Sequence, residues 1–226
     1  MSSILLLAVS ISFKENKNEV TEIFMQPFVL TANVVMPFAI AYGLIFSAQA
    51  PIFTFQATLS VFLGCIFYVL SYMYFKNPLY SLAAQMLFTL TLLSFGLWQK
   101  LPQLTILYFV TASAYLNVYL SHYFHNRSRA LEANIAAVLS IIKAYFIYLF
   151  AQGINVDNFQ LLFFAAVPII IGLLLTIVRR NVYYIAVSSV FVALLLDIIT
   201  NKMLGYDDRS FILGFVYTIT ASVWYF

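Results

Sequence analysis

The chain has 226 residues, 64% of them hydrophobic and 8% charged, with a mean hydropathy of +0.97. Soluble domains carry about 25% charged residues, so this composition excludes a water-clothed globule, and the solvent it fits is lipid. A net charge of +3 without a basic run gives no footing for nucleic acid, and a single cysteine, Cys65, excludes an intrachain disulfide.

The chain opens on an apolar run, Ile4–Phe13, that is too short to cross a bilayer. No basic residue precedes it, and Lys14-Glu15-Asn16-Lys17-Asn18-Glu19 follows where a signal peptide would have a small-residue cleavage site. Residues 1–27 are expected to form an interfacial or packed N-terminal segment, with a further membrane span as the alternative.

Residues 28–226 read as one polytopic helical domain. Eight spans are expected: Phe28–Ser47, Ile52–Phe75, Leu79–Trp98, Gln103–Phe124, Ala133–Ala151, Phe159–Val178, Val182–Thr200 and Ser210–Phe226. Turn-forming or charged punctuation separates them, for example Gln49-Ala50-Pro51, Lys76-Asn77-Pro78 and Arg179-Arg180. Loops this short make sequential helices antiparallel neighbours in an all-α bundle. Eight spans put both termini on one side, together with Lys14, Lys17, Lys76, Arg127, Arg129, Arg179 and Arg180, against Lys100, Lys202 and Arg209 on the other. The positive-inside rule then expects both termini in the cytoplasm.

Prolines interrupt two spans. Pro37 removes the donor for the Asn33 carbonyl, and Pro168 does the same to Phe164. Broken helices at matching places in inverted repeats mark transporter sites, although kinks are also tolerated as plain packing features. Small and polar residues recur at i, i+4, i+8 in Gln56-Ser60-Gly64, Ser81-Gln85-Thr89, Ser113-Asn117-Ser121 and Ser189-Ala193-Asp197. Such stripes bring helices together or line a polar path.

The fifth span, within Glu132–Gln152, carries Lys143 near its middle. A charge at the centre of a membrane helix costs ~2.5–3.5 kcal/mol on an insertion scale and marks a functional site by default. Ala136, Ser140, Lys143 and Ala144 share a small, polar face, which turns the lysine into the bundle. Asp197 is the second intramembrane charge, set by the expected span starts about 8 Å further along the membrane normal, and the two are candidates for an ion pair. Lys143, Asp197, Asn33 and Asn117 are therefore the candidate substrate- or ion-binding residues.

His122 and His125 lie at i, i+3 beside Arg127 and Arg129, a set suited to a lipid headgroup or a protein partner. Metal binding there would need another ligand, with Glu132 the nearest carboxylate, so no metal and no cofactor is expected. Lys143 has the depth of a retinal-type lysine, but nothing else supports a chromophore. No nucleophile with a base and no phosphate-binding glycine loop is present. The expectation is a small transporter or channel-like protein with a polar site inside the bundle. A non-catalytic membrane subunit or sensor module is one alternative, and a lipid-modifying enzyme built on the His/Arg face is another. The partners expected are the bilayer and either another membrane protein or a second copy of the chain.

Overall fold

The computed structural model describes residues 19–48, 55–154, 157–181 and 183–199, with residues 5, 7–9, 11, 12 and 214, and omits the side chains of 19–28, 46–48, 193 and 197. Seven long helices run through the described residues: α1 Glu19–Ala48, α2 Phe55–Phe75, α3 Pro78–Trp98, α4 Gln103–Asn126, α5 Ala130–Gly153, α6 Asn158–Arg179 and α7 Tyr183–Ile198. Five of them, α2 to α6, are long and apolar enough to cross a membrane, while the apolar stretches Val29–Ile45 of α1 and Tyr183–Leu196 of α7 are shorter. No strand occurs among the described residues. The chain is an all-helical, multi-pass membrane protein. The expected last span, Ser210–Phe226, lies outside the described residues except for helical Gly214.

Helix ends follow local chemistry. Lys76, Lys100, Ser128 and Arg180, each at the end of a helix, take a left-handed backbone, with φ from 50° to 58°. At two of these ends the next amide reaches back five residues, Leu101 to the Gly96 carbonyl and Arg129 to that of Phe124, both at 2.9 Å. That reach-back satisfies carbonyls the helix leaves orphaned. Starts are capped by side chains: Asn77 accepts from the Leu79 amide, Asp157 from Gln160 and Asn181 from Tyr183. α1 begins at Glu19, ahead of the apolar run that starts at Phe28. Glu19 and Glu22 suit the positive end of a helix dipole, a preference that hydropathy does not register.

The chain forms two compact units, Met1–Pro102 and Gln103–Phe226. In the first, α1 packs on α2 and α2 on α3. Leu7 is fully buried in a core with Ala32, Met36, Ile40, Val61 and Phe67, whereas Leu5 and Val9 are exposed. The stripe Gln56-Ser60-Gly64 is a packing groove: a β-carbon on Gly43 would meet the Ser60 side chain at 2.7 Å, and one on Gly64 would meet Ile40 at 2.5 Å. Glycine there lets the helix backbones approach.

In the second unit α4, α5, α6 and α7 pack in sequence, and α4 also touches α6. The core mixes large apolar residues such as Ile147, Phe164 and Ile171 with small and polar ones. α5 buries Ala136, Ser140, Lys143 and Ala144 and presents Val138, Ile142, Tyr145 and Phe146 outward. Small and polar residues inside with large apolar ones outside is the arrangement lipid selects.

Candidate functional site

The second unit holds the strongest candidate. Lys143 is 6% exposed and Asn117 2% exposed. The lysine ammonium and the Asn117 amide nitrogen are both buried without a hydrogen-bond partner among the described residues. A buried polar group without a partner costs about 1–3 kcal/mol, and more if charged, so two in one interface require an explanation.

Each donor sits on the small-residue side of its helix, and α4 and α5 pack directly on one another. Ser113, Asn117 and Ser121 are all buried on α4, as the stripe predicts. Ser121 Oγ donates to the Ala133 carbonyl at 2.9 Å and pins the antiparallel register. Counting along both helices from that bond sets Asn117 opposite Ala137, six residues before Lys143, or about 9 Å along the axis. Helical side chains lean toward the N-terminus, so the lysine stem leans toward Asn117 and narrows that gap.

Neighbouring hydroxyls leave only lone pairs free. Thr111 donates to Leu107, Ser113 to Val110 and Ser140 to Ala137, all backbone carbonyls of their own helices, at 2.7–2.9 Å. Pro168 is fully buried near the middle of α6, and its ring nitrogen offers no donor to the Phe164 carbonyl. Asn117, Lys143 and Pro168 each lie within about one turn of the midpoint of their helix. Two donors and the proline of α6 thus share the central layer of one bundle, with the Phe164 carbonyl about one turn to the N-terminal side.

Asp197 belongs to α7 by its backbone, and its side chain, with the proposed ion pair, lies outside the described residues. The α5/α7 register is set by Phe191, whose ring is 6.3 Å from that of Tyr145 and 6.1 Å from that of Tyr148. Asp197 follows Phe191 by six residues, so its backbone stands two turns or more beyond that of Lys143, about 11 Å or more along the axis.

Asn33 lies in the other unit. Its amide nitrogen donates to the Val29 carbonyl at 2.8 Å and to the Tyr80 hydroxyl at 3.1 Å, and its Oδ1 is buried without a partner among the described residues. Tyr80 had no signal in the sequence, because a tyrosine near a helix end reads as part of the aromatic belt. Pro37 is exposed whereas Pro168 is buried, so the two interrupted helices use their prolines differently. On α3, the Gln85 side-chain amide donates to Ser81 at 3.0 Å and the Gln85 backbone carbonyl accepts from Thr89 at 3.1 Å, bonds that stay within the helix.

His122, His125 and Arg127 are exposed at the α4/α5 turn, with Arg129 half-buried. His122 shares a hydrogen bond with Asn126 at 3.0 Å, and Arg127 stacks 4.5 Å from the Tyr123 ring centre. Arg179 of α6, read from sequence only as a topology signal, donates to Asn134 of α5 at 2.6 Å. Among the described residues no three His, Cys, Asp or Glu side chains gather, and Glu132, buried on α5, does not join the two histidines.

Comparison with protein-family models, curated proteins and solved structures returns no match.

Proposed function

We propose that the chain is a small transporter or channel-like protein whose solute site is built around Lys143 and Asn117. The observation that carries this reading is the pair of unpartnered, deeply buried donors on facing helices. A fold-locking charge would be expected to find its partner within the protein, whereas a solute site keeps donors for its solute. The Phe164 carbonyl, which Pro168 cannot donate to, adds an acceptor about one turn away on α6. Asp197 supplies a second charged position further along α7. Asn33, with Tyr80, is a separate polar position in the first unit. His122, His125, Arg127 and Arg129 form a basic rim suited to anionic headgroups on the cytoplasmic side, where the lysine and arginine count also puts both termini.

Proteoliposomes holding the chain should pass solute that empty liposomes retain. Lys143→Met should lose that flux while keeping the elution profile of the folded protein. Unchanged flux in a folded Lys143→Met variant would remove the reading.

A further inference from the structure

We infer that the Lys143–Asn117 site takes a small monovalent anion. This deepens the transport reading and rests on it for solute access to the site.

An ammonium brings three donors and no acceptor, and an amide nitrogen brings donors alone. What the two unpartnered groups lack among the described residues is therefore an acceptor, and for Lys143 that acceptor should also carry charge. The Phe164 carbonyl and the hydroxyl lone pairs of Thr111, Ser113 and Ser140 are acceptors without charge. They can orient a ligand but cannot neutralise the lysine. The carboxylates described in this unit stand elsewhere. Glu132 is eleven residues from Lys143 on the same helix, about 16 Å along its axis, and Asp157 is exposed at the start of α6, where it caps the Gln160 amide. An anion supplies the missing charge and accepts from both nitrogens. A metal cation or an ammonium would meet an uncompensated positive charge at low dielectric, where repulsion is strong. One lysine balances one negative charge. Size follows from the surroundings, since Ala136, Ser140 and Ala144 flank the lysine and Ala114 lies on the facing side of α4, all buried. Close helix approach of that kind favours a halide, nitrate or formate over a larger carboxylate.

The full chain in liposomes should be tested for efflux of chloride, nitrate and formate, and separately for efflux of sodium and potassium. Heat stability of the purified protein should be followed against nitrate concentration with sulfate as the divalent control. The wild type should pass the monovalent anions, exclude both cations and be stabilised by nitrate. Asn117→Asp, which sets a resident carboxylate near the lysine, should cut anion flux about tenfold or more and remove the nitrate effect. Lys143→Arg should retain part of both. Nitrate stabilisation that Asn117→Asp removes, with no flux of any ion, would keep the anion site and overturn the transport reading. Cation flux without anion flux or nitrate stabilisation would keep transport and overturn the anion assignment. Absence of flux and of nitrate stabilisation would overturn both. Wild-type selectivity decides between these outcomes even where a variant fails to fold.

Discussion

Gly172 of α6 lies so close to Ser188 of α7 that a β-carbon on the glycine would overlap the serine hydroxyl. Ser188 Oγ in turn sits 3.2 Å from the Ile169 carbonyl across the interface and 3.3 Å from the Tyr184 carbonyl of its own helix. The missing side chain therefore permits a hydrogen bond between helices as well as close packing.

Gly172→Ala should destabilise the second unit by about 1–3 kcal/mol, the usual range for an added methyl in a filled core. Gly153 at the end of α5 has nothing within 4 Å of the corresponding position, so Gly153→Ala should be neutral or slightly stabilising. Thermal unfolding in detergent compares the two. Equal losses would mean that the α6/α7 contact yields more readily than its geometry implies.

Ser121→Ala removes the bond to the Ala133 carbonyl that sets the α4/α5 register. Hydrogen bonds between membrane helices average about 0.6 kcal/mol in mutant cycles, with a maximum near 1.7. The expected loss is therefore small, and under the proposed function ion flux should fall by more than the stability change explains, because the register fixes the offset between Asn117 and the lysine. Stability and flux measured on the same preparation decide this. Unaltered flux would detach the hairpin register from the site.

Lys143→Met and Asp197→Leu should act independently, within about 0.5 kcal/mol of additivity, since their backbones stand two turns or more apart along parallel helices. A double-mutant cycle in thermal unfolding measures the coupling. Strong coupling would make Asp197 the resident counter-ion of the lysine and remove the need for an external anion.

Reporter fusions after Asn126 and Asn181 should report the cytoplasm, and one after Asn155 the exterior. The basic residues beside the first two positions are the reason, with Arg127, Arg129, Arg179 and Arg180 on one side of the membrane. An external signal after Asn126 would invert the whole arrangement.

Much of the helical layout was legible in the residues alone. Hydropathy set α2 to α7 within about three residues at either end, because lipid-facing positions must be apolar whatever their neighbours. Lys143 stood out as a lone charge on a face of small residues, and that face is buried. What stayed hidden depends on pairing between distant segments. Nothing in a tyrosine two residues past Pro78 says that it accepts from Asn33, and Ser188 matters through Gly172 on another helix. The stripe Gln56-Ser60-Gly64 suited close helix approach or a polar path, and its Ser60 and Gly64 lie against Gly43 and Ile40 of α1. Composition alone treats a wet path and a close helix contact alike, because both select small side chains.

Pro168 also has a mechanical meaning. The segment from the proline to Arg179 is fastened to α5 through Asn134, while the segment from Phe159 to the proline has lost a rung of its hydrogen-bond ladder at the kink. α6 thus has two fastened arms about Pro168, one tied to α5 through Asn134 and one whose Phe163 and Phe164 rings pack on Tyr108 of α4. Under the proposed transport reading, a change of bend at Pro168 alters the space beside Lys143 while both arms keep these contacts.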